Sequence, residues 1–340
     1  MARAVPTLLL LAALWVPGSL PASTDVSSER STAPGTVLTL APSAYREGVV
    51  YAATETGVFR SVDGGETWSP GGQGLPAGRV TSVASSPWNG EVAYATTHRG
   101  LYQTTNGGAT WSAIGLHIPL FEIVLSPSSF EVLYASDGEI VYRSDEEGSL
   151  WTPASGGLPE ALLIAGLTIH PTDTNTVYAA TNLGLFKTTD GGGSWRAAGK
   201  DFGPVRSVAV DPKRPETVYA ATGFKGIFKS RDGGVTWAPA GEGLPADADV
   251  AALSVDPTYP LTLFAAVNLD ASGGIYRSRD GGATWQRVRA TEALIRDVAV
   301  DPRRPDRVYA GVERLGLLRS EDGGRDWGAR ALPRIEKPAF

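Results

Sequence analysis

The stretch SVDGGETW, residues 61–68, returns almost letter for letter as SRDGGATW at residues 278–285. A catalytic motif needs to occur once, whereas a motif that recurs is building material. Five more versions fill the chain: TTNGGATW (104–111), SDEEGSLW (144–151), TTDGGGSW (188–195), SRDGGVTW (230–237) and SEDGGRDW (320–327). The closing tryptophans are Trp68, Trp111, Trp151, Trp195, Trp237, Trp285 and Trp327, spaced by 43, 40, 44, 42, 48 and 42 residues. Such a period belongs to a four-stranded propeller blade.

The rest of each unit repeats as well. Ahead of the box stands an aromatic strand such as GVFRS, GIFKS or GIYRS, and ahead of that VYAAT (50–54, 177–181, 218–222) or a variant of it. Ahead of that again is a strand ending in proline, such as VRSVAVDP (205–212) or IRDVAVDP (295–302). Four short strands rich in Val, Tyr, Phe and Thr, parted by Gly, Pro and Asp, make one antiparallel blade. No segment after the N-terminal region holds a helical period. The expected fold is all-β, a seven-bladed propeller over 36–340. Its blades should lie near 36–78, 79–119, 120–160, 161–204, 205–247, 248–292 and 293–340. Residues 37–42 should form the first inner strand, and Trp327 should open the last outer one. This phasing exchanges no strand to close the ring, unless RIEKPAF (334–340) reaches back to blade 1.

Composition fits such a ring. The chain has 340 residues, with 41 glycines and 24 prolines for its many tight turns. Its formal charge is −6, or −7 without residues 1–22, whose one charged side chain is Arg3. A mildly acidic surface argues against nucleic acid or anionic lipid as partner. The opening residues read as a secretory signal: MARAVP, then the apolar TLLLLAALWV, then PGSLPAS with cleavage expected after Ala22. That apolar stretch is too short for a membrane span. Residues 23–35, STDVSSERSTAPG, read as a disordered lead-in. The chain has no cysteine, so neither a disulfide nor a lipid-bearing cysteine is available. These features place the protein in the periplasm or outside the cell, as an expected monomer.

The box has a physical purpose. A carboxylate in its third position can accept backbone N–H bonds from the turn that follows, and its glycines can adopt positive φ. The flanking hydroxyls can close the same network, while the tryptophan pins the hairpin to its blade. Asp63, Asn106, Glu146, Asp190, Asp232, Asp280 and Asp322 hold that third position and are read as structural. The third copy supports this, since it replaces Asp-Gly by Glu146-Glu147 and Thr by Leu150 yet keeps Trp151.

With seven boxes in register, the sequence resembles the BNR, or Asp-box, β-propeller proteins over roughly residues 36–333. That superfamily includes sialidases, xyloglucan-cleaving glycosidases, the sortilin ligand-binding domain and photosystem II assembly factors. The resemblance implies a box between strands three and four, and hence a proline-ending strand lining the axis. It does not imply an activity. Sialidases have six blades, and no Arg-Ile-Pro stretch is present here.

On this phasing the boxes and the DPxxP turns share one face, and ligands are expected on the other. Residues that break the bland pattern there are Glu55, His98, Arg99, Asp137, Glu139, Lys225, Asp270, Glu313 and Arg314. At the mouth of the inner strands stand Glu122, Arg206, Arg296 and Asp297. Glu122 and Asp297 fall in a register that elsewhere holds Ser82, Gly166, Ser207 and Ala252. The enzyme alternative is a glycoside hydrolase. Xyloglucan-cleaving relatives carry a catalytic carboxylate after the second strand of the first blade, and YAATETG (51–57) puts Glu55 there. A glycosidase needs a second carboxylate across the bond, which in those relatives comes from a second propeller. Trp88 maps to the box face, away from any such cleft. His98, His117 and His170 are dispersed, so no metal is expected, and no motif calls for a cofactor. The preferred expectation is a non-enzymatic module that binds a protein, peptide or glycan.

Overall fold

The computed structural model describes residues 35–199 and 202–333. The expected signal segment, most of the lead-in and the RIEKPAF segment lie outside these residues. Seven four-stranded antiparallel sheets follow one another, spanning 37–70, 80–113, 122–153, 164–199, 205–239, 249–290 and 295–330. Each sheet takes four consecutive strands, so none is exchanged between blades among the described residues. The inner strand of blade 1 is Val37–Pro42, and the outer strand of blade 7 is Gly328–Arg330, one residue later than expected. A single 3-10 turn, Asp270–Ser272, is the only helical element among the described residues.

The second strands, such as Val50–Thr54, Val177–Thr181 and Val218–Thr222, are buried along their whole length. Both faces of each blade are covered by its neighbours, which is why these strands read as apolar runs without alternation. The core therefore lies in seams between blades. One cluster joins Tyr178, Ala180 and Leu185 of blade 4 to Val205, Val208 and Val218 of blade 5. Another joins Tyr309 and Leu317 of blade 7 to Val37, Phe59 and Trp68 of blade 1, with Leu332 against them.

The boxes behave as their chemistry requires. In blade 1, Asp63 Oδ1 accepts from the Glu66 and Thr67 N–H groups at 3.0 and 2.9 Å and from Ser61 Oγ at 2.8 Å. Gly64 and Gly65 take φ of 75° and 85°. Bonds from Ser194 and Thr188 likewise hold the Asp190 carboxyl down to about 2. In the third copy Ser144 Oγ still accepts from Gly148 N at 2.9 Å, and Glu147 itself takes the left-handed φ of 52°.

The boxes also rivet neighbouring blades. Tyrosines of the second strands donate to box carbonyls of the next blade: Tyr178 to Gly233, Tyr219 to Gly281 and Tyr309 to Gly64, at 3.0, 3.2 and 3.0 Å. Loops after blades 1, 3 and 5 reach over the following box, where the Gln73, Gly156 and Glu242 carbonyls accept from the N–H groups of Trp111, Trp195 and Trp285. Their Leu75, Leu158 and Leu244 pack on the seam beneath. Only glycine fits at position 72, because a Cβ there would meet Ala109 O at 1.8 Å.

Closure between blades 7 and 1 adds an ionic clasp that the sequence did not disclose. Arg319, 8% exposed, pairs with Glu66 of blade 1 and with Glu321, while Arg307 joins Glu321 at 2.8 Å and Asp301 at 3.3 Å. Removing one member of a buried ionic network strands its partners, but Glu66 is half-exposed and can hydrate. Arg319→Met is thus expected to cost about 2–3 kcal/mol, somewhat below the roughly 3–5 kcal/mol of a fully buried pair. A urea midpoint equal to wild type would show that the clasp contributes nothing to closure.

Candidate functional site

The axis of the ring is built by the seven inner strands. In six of them the pairing slips by one residue near the start, between 37 and 39, 80 and 82, 164 and 166, 205 and 207, 250 and 252, and 295 and 297. Such a bulge bends the strand and re-aims side chains at the rim. Arg206 and Arg296 occupy two of the bulges. Blade 3 has none, and Glu122 pairs directly with Ser136.

The ladders put Glu122 level with Ser82, Gly166, Ser207, Ala252 and Asp297, each opposite the equivalent residue of its second strand. Residues on this level also stitch the blades together. Thr39 Oγ1 accepts from Val83 N at 3.1 Å, Ser207 Oγ from Leu253 N at 3.3 Å, and Asp297 Oδ2 from Leu40 N at 2.8 Å. Asp297 is therefore the carboxylate version of a seam acceptor, placed where the ring closes.

Both carboxylates, on the inner strands, keep partial contact with solvent. Seven converging strands still make charge costly there. Burial, then the nearby charge of Asp297, pushes the Glu122 carboxyl up to about 8. Burial raises Asp297 to about 6, against the pull of its bonds from Leu40 and Val298 N–H groups.

The other candidates fall into separate settings. Arg206 pairs with Asp249 at 3.2 Å and Arg296 with Glu313 at 3.0 Å, so these cations of the mouth arrive with partners. Asp137 serves its own turn, accepting from Glu139 N, Ile140 N and Tyr142 Oη at 3.0, 2.7 and 2.9 Å. Glu55, His98 and Arg99 stand exposed on the turns after the second strands of blades 1 and 2. Lys225, also exposed, lines a groove between blades 4 and 5.

Sequence reasoning sought polar residues on this face and passed over its apolar ones. Phe121 and Leu163 lie in the links entering blades 3 and 4, and Leu183, Phe224 and Leu315 in turns after second strands. All are exposed, by 51, 37, 55, 60 and 47%. Backbone contacts bring the loops of blades 3 and 4 side by side. The Phe121 ring lies against Gly138, where a Cβ would come within 3.2 Å of it, and Gly138 O accepts from Ile164 N at 2.7 Å. Beside it, Leu163 N donates to Asn182 Oδ1 at 2.7 Å. A signal was present: TNLG (181–184) and TGFKG (222–226) put a large apolar residue inside a tight turn, where turn chemistry favours polar ones.

Comparison with known proteins agrees with this architecture. The BNR/Asp-box repeat family matches residues 59–70 and 276–287, two of the seven boxes. No curated protein matches the sequence. Among solved structures, the GH74 xyloglucanase from Xanthomonas campestris is similar with a TM-score of 0.75 and 18% identity, over 88% of this chain and 55% of that one. YCF48 bound to D1 peptide is similar with a TM-score of 0.65 and 18% identity, over 89% of this chain and 99% of that one. The extracellular domain of BT4673 from B. thetaiotaomicron gives 0.67 and 15%, over 84% and 38%. The chain spans about half the length of the GH74 enzymes it resembles. It carries BNR/Asp-box repeats on a seven-bladed propeller, and it is similar in fold both to GH74 enzymes and to YCF48. No helix among the described residues is long and apolar enough to cross a membrane.

Proposed function

We propose that the protein is an exported, non-enzymatic, monomeric module that holds an extended peptide segment of a partner protein on the face opposite the boxes. The observation carrying this reading is a set of exposed large apolar side chains in the loops of that face, Phe121, Leu163, Leu183, Phe224 and Leu315. Monomeric proteins rarely leave such a surface uncovered unless something docks there. A peptide would lay its apolar residues on these side chains and could direct a basic group toward Glu122 and Asp297. Arg206 and Arg296, each already paired, would orient the rim. YCF48, similar in fold and length, was solved with a peptide bound, which supports a peptide over a glycan. Export rests on residues 1–22 acting as a signal.

The competing reading is a glycoside hydrolase using Glu55. Its support is the fold shared with the GH74 xyloglucanase, and one propeller must then supply both carboxylates. Peptides selected from a displayed library against the wild type should lose about tenfold or more in affinity for a Leu183→Ser, Phe224→Ser double variant. Both positions are exposed, so folding should survive. Equal affinity for the variant would remove these side chains from the site. Reducing-end release from xyloglucan by wild type, absent in Glu55→Gln, would replace this reading with the hydrolase.

A further inference from the structure

Five of the six second-strand tyrosines donate to a backbone carbonyl of the next blade: Tyr94 to Glu147, Tyr134 to Thr174, and Tyr178, Tyr219 and Tyr309 to box glycines. Six of the seven box tryptophans likewise have an acceptor for Nε1. The exceptions are Tyr51 and Trp111, and they meet in one seam, between blades 1 and 2. Tyr51 Oη and Trp111 Nε1 are buried without a hydrogen-bond partner in the protein, and so is Arg60 Nε. Buried donors are seldom left in this way. Three of them together single out this seam.

The three side chains converge on Gly108 of the second box. A Cβ there would come within 3.3 Å of Tyr51 Cε1, 3.7 Å of Arg60 Cδ and 3.8 Å of Trp111 Cζ2. The indole meets the Tyr51 ring edge-on with centroids 6.4 Å apart, and Arg60 Cζ stands 5.8 Å from the centre of that ring. Counterparts of Arg60 in other third strands are engaged: Lys187 and Lys229 donate to Gly233 O and Gly281 O, while Arg143 and Arg319 form ion pairs. Arg60 forms no ion pair among the described residues, and Glu91, close to it across Gly107, is held by Arg46 at 2.9 Å. Outside the cluster lies a pocket of about 310 Å³, lined among others by Arg60, Val62, Pro70, Asn106, Gly107 and Gly108. Arg60 is the one charged residue of that lining. Asn106 is the reason, because every other box carries a carboxylate at its position.

We propose that this pocket is an anion site that takes a small monocarboxylate. The partly buried Arg60 guanidinium binds the carboxylate through its planar fork, and such charge-assisted pairs are among the stronger hydrogen bonds. The acceptor that this group of donors lacks within the protein is what the ligand supplies. One cation, with Arg46 and Glu91 cancelling each other beside it, matches one negative charge rather than the two of phosphate or sulfate. Val62 and Pro70, both exposed, offer an apolar wall to the rest of the ligand. The site belongs to the seam of blades 1 and 2, goes beyond the peptide reading of the opposite face and does not depend on it.

The test follows the Trp111 indole N–H signal, assigned by its loss in Trp111→Phe, in a nitrogen–proton correlation spectrum. Benzoate, or its neutral analogue benzamide, is titrated into the full chain. Benzoate should shift the signal and saturate at millimolar concentration, whereas benzamide should leave it in place. Arg60→Gln should weaken benzoate by about tenfold or more, the loss of a charge-assisted contact. Asn106→Asp restores the carboxylate of the other boxes, so the hairpin keeps its fold. Repulsion from that charge should weaken benzoate by about threefold or more. The Leu183→Ser, Phe224→Ser variant should bind benzoate as wild type does, which separates this site from the opposite face. A signal unmoved by benzoate would overturn the proposal, as would an equal response to benzamide or indifference to either charge variant. Tighter binding of sulfate than of benzoate would overturn it too, since the pocket would then suit a dianion.

Discussion

Trp285→Ala is expected to lower the folding free energy by about 3–5 kcal/mol, the range for removing a buried aromatic side chain. Its indole is 5% exposed in the seam between blades 5 and 6, among Tyr219, Ile227, Leu253 and Tyr276. Nε1 donates across the seam to Ala240 O at 2.8 Å, so truncation also strands an acceptor. The alternative acceptor, Gly282 O, lies within the same box. Trp237 holds the equivalent place in blade 5 but stays partly exposed beside the open groove. Trp237→Ala should therefore cost clearly less than Trp285→Ala, although the boxes differ little in sequence. Urea unfolding of both variants, read as midpoint at constant slope, checks the order. Equal losses would mean that the box alone, and not the seam, sets the contribution of the tryptophan.

The second large effect is electrostatic. The Glu122 carboxyl sits near 8 in the folded protein against an ordinary 4.5, through burial and then the charge of Asp297. The folded state thus keeps a proton that the unfolded chain releases. Stability should fall as pH rises from the ordinary carboxylate range to about 8, and level off above it. The groups on the same level of the other inner strands, Thr39, Ser82, Gly166, Ser207 and Ala252, bring no compensating cation. Glu122→Gln removes the penalty. Allowing for partial hydration of the carboxyl, it should stabilise the protein by about 2–3 kcal/mol near pH 9 and by almost nothing near pH 4. A gain that is the same at both pH values would show that the effect is packing rather than charge.

The carboxylates also show where sequence reading stops. Ladder register is a local property, because side chains alternate with period two, so the level shared by Glu122 and Asp297 was legible from the repeat alone. Their consequences were not. Asp297 accepts the Leu40 N–H at 2.8 Å across 257 positions of chain, and that bond exists only because the ring closes. Arg206 and Arg296 looked like open cations of a funnel. Their partners Asp249 and Glu313 come from a neighbouring blade in one case and from the turn after the next strand in the other.

The sequence by itself determined the unit and its number. Seven boxes at a blade-length period, strands of alternating or fully apolar character, and glycines where φ is positive are all short-range features. They act within a few residues and repeat in register. Only the tertiary structure decided what happens between units. The rivets from Tyr178, Tyr219 and Tyr309, the Arg319 clasp, the exposed apolar loops and the groove between blades 4 and 5 each depend on which blade lies alongside. These contacts join residues tens to hundreds of positions apart. The repeat makes every seam look alike in one dimension, and the seams diverge only when neighbouring blades are brought together.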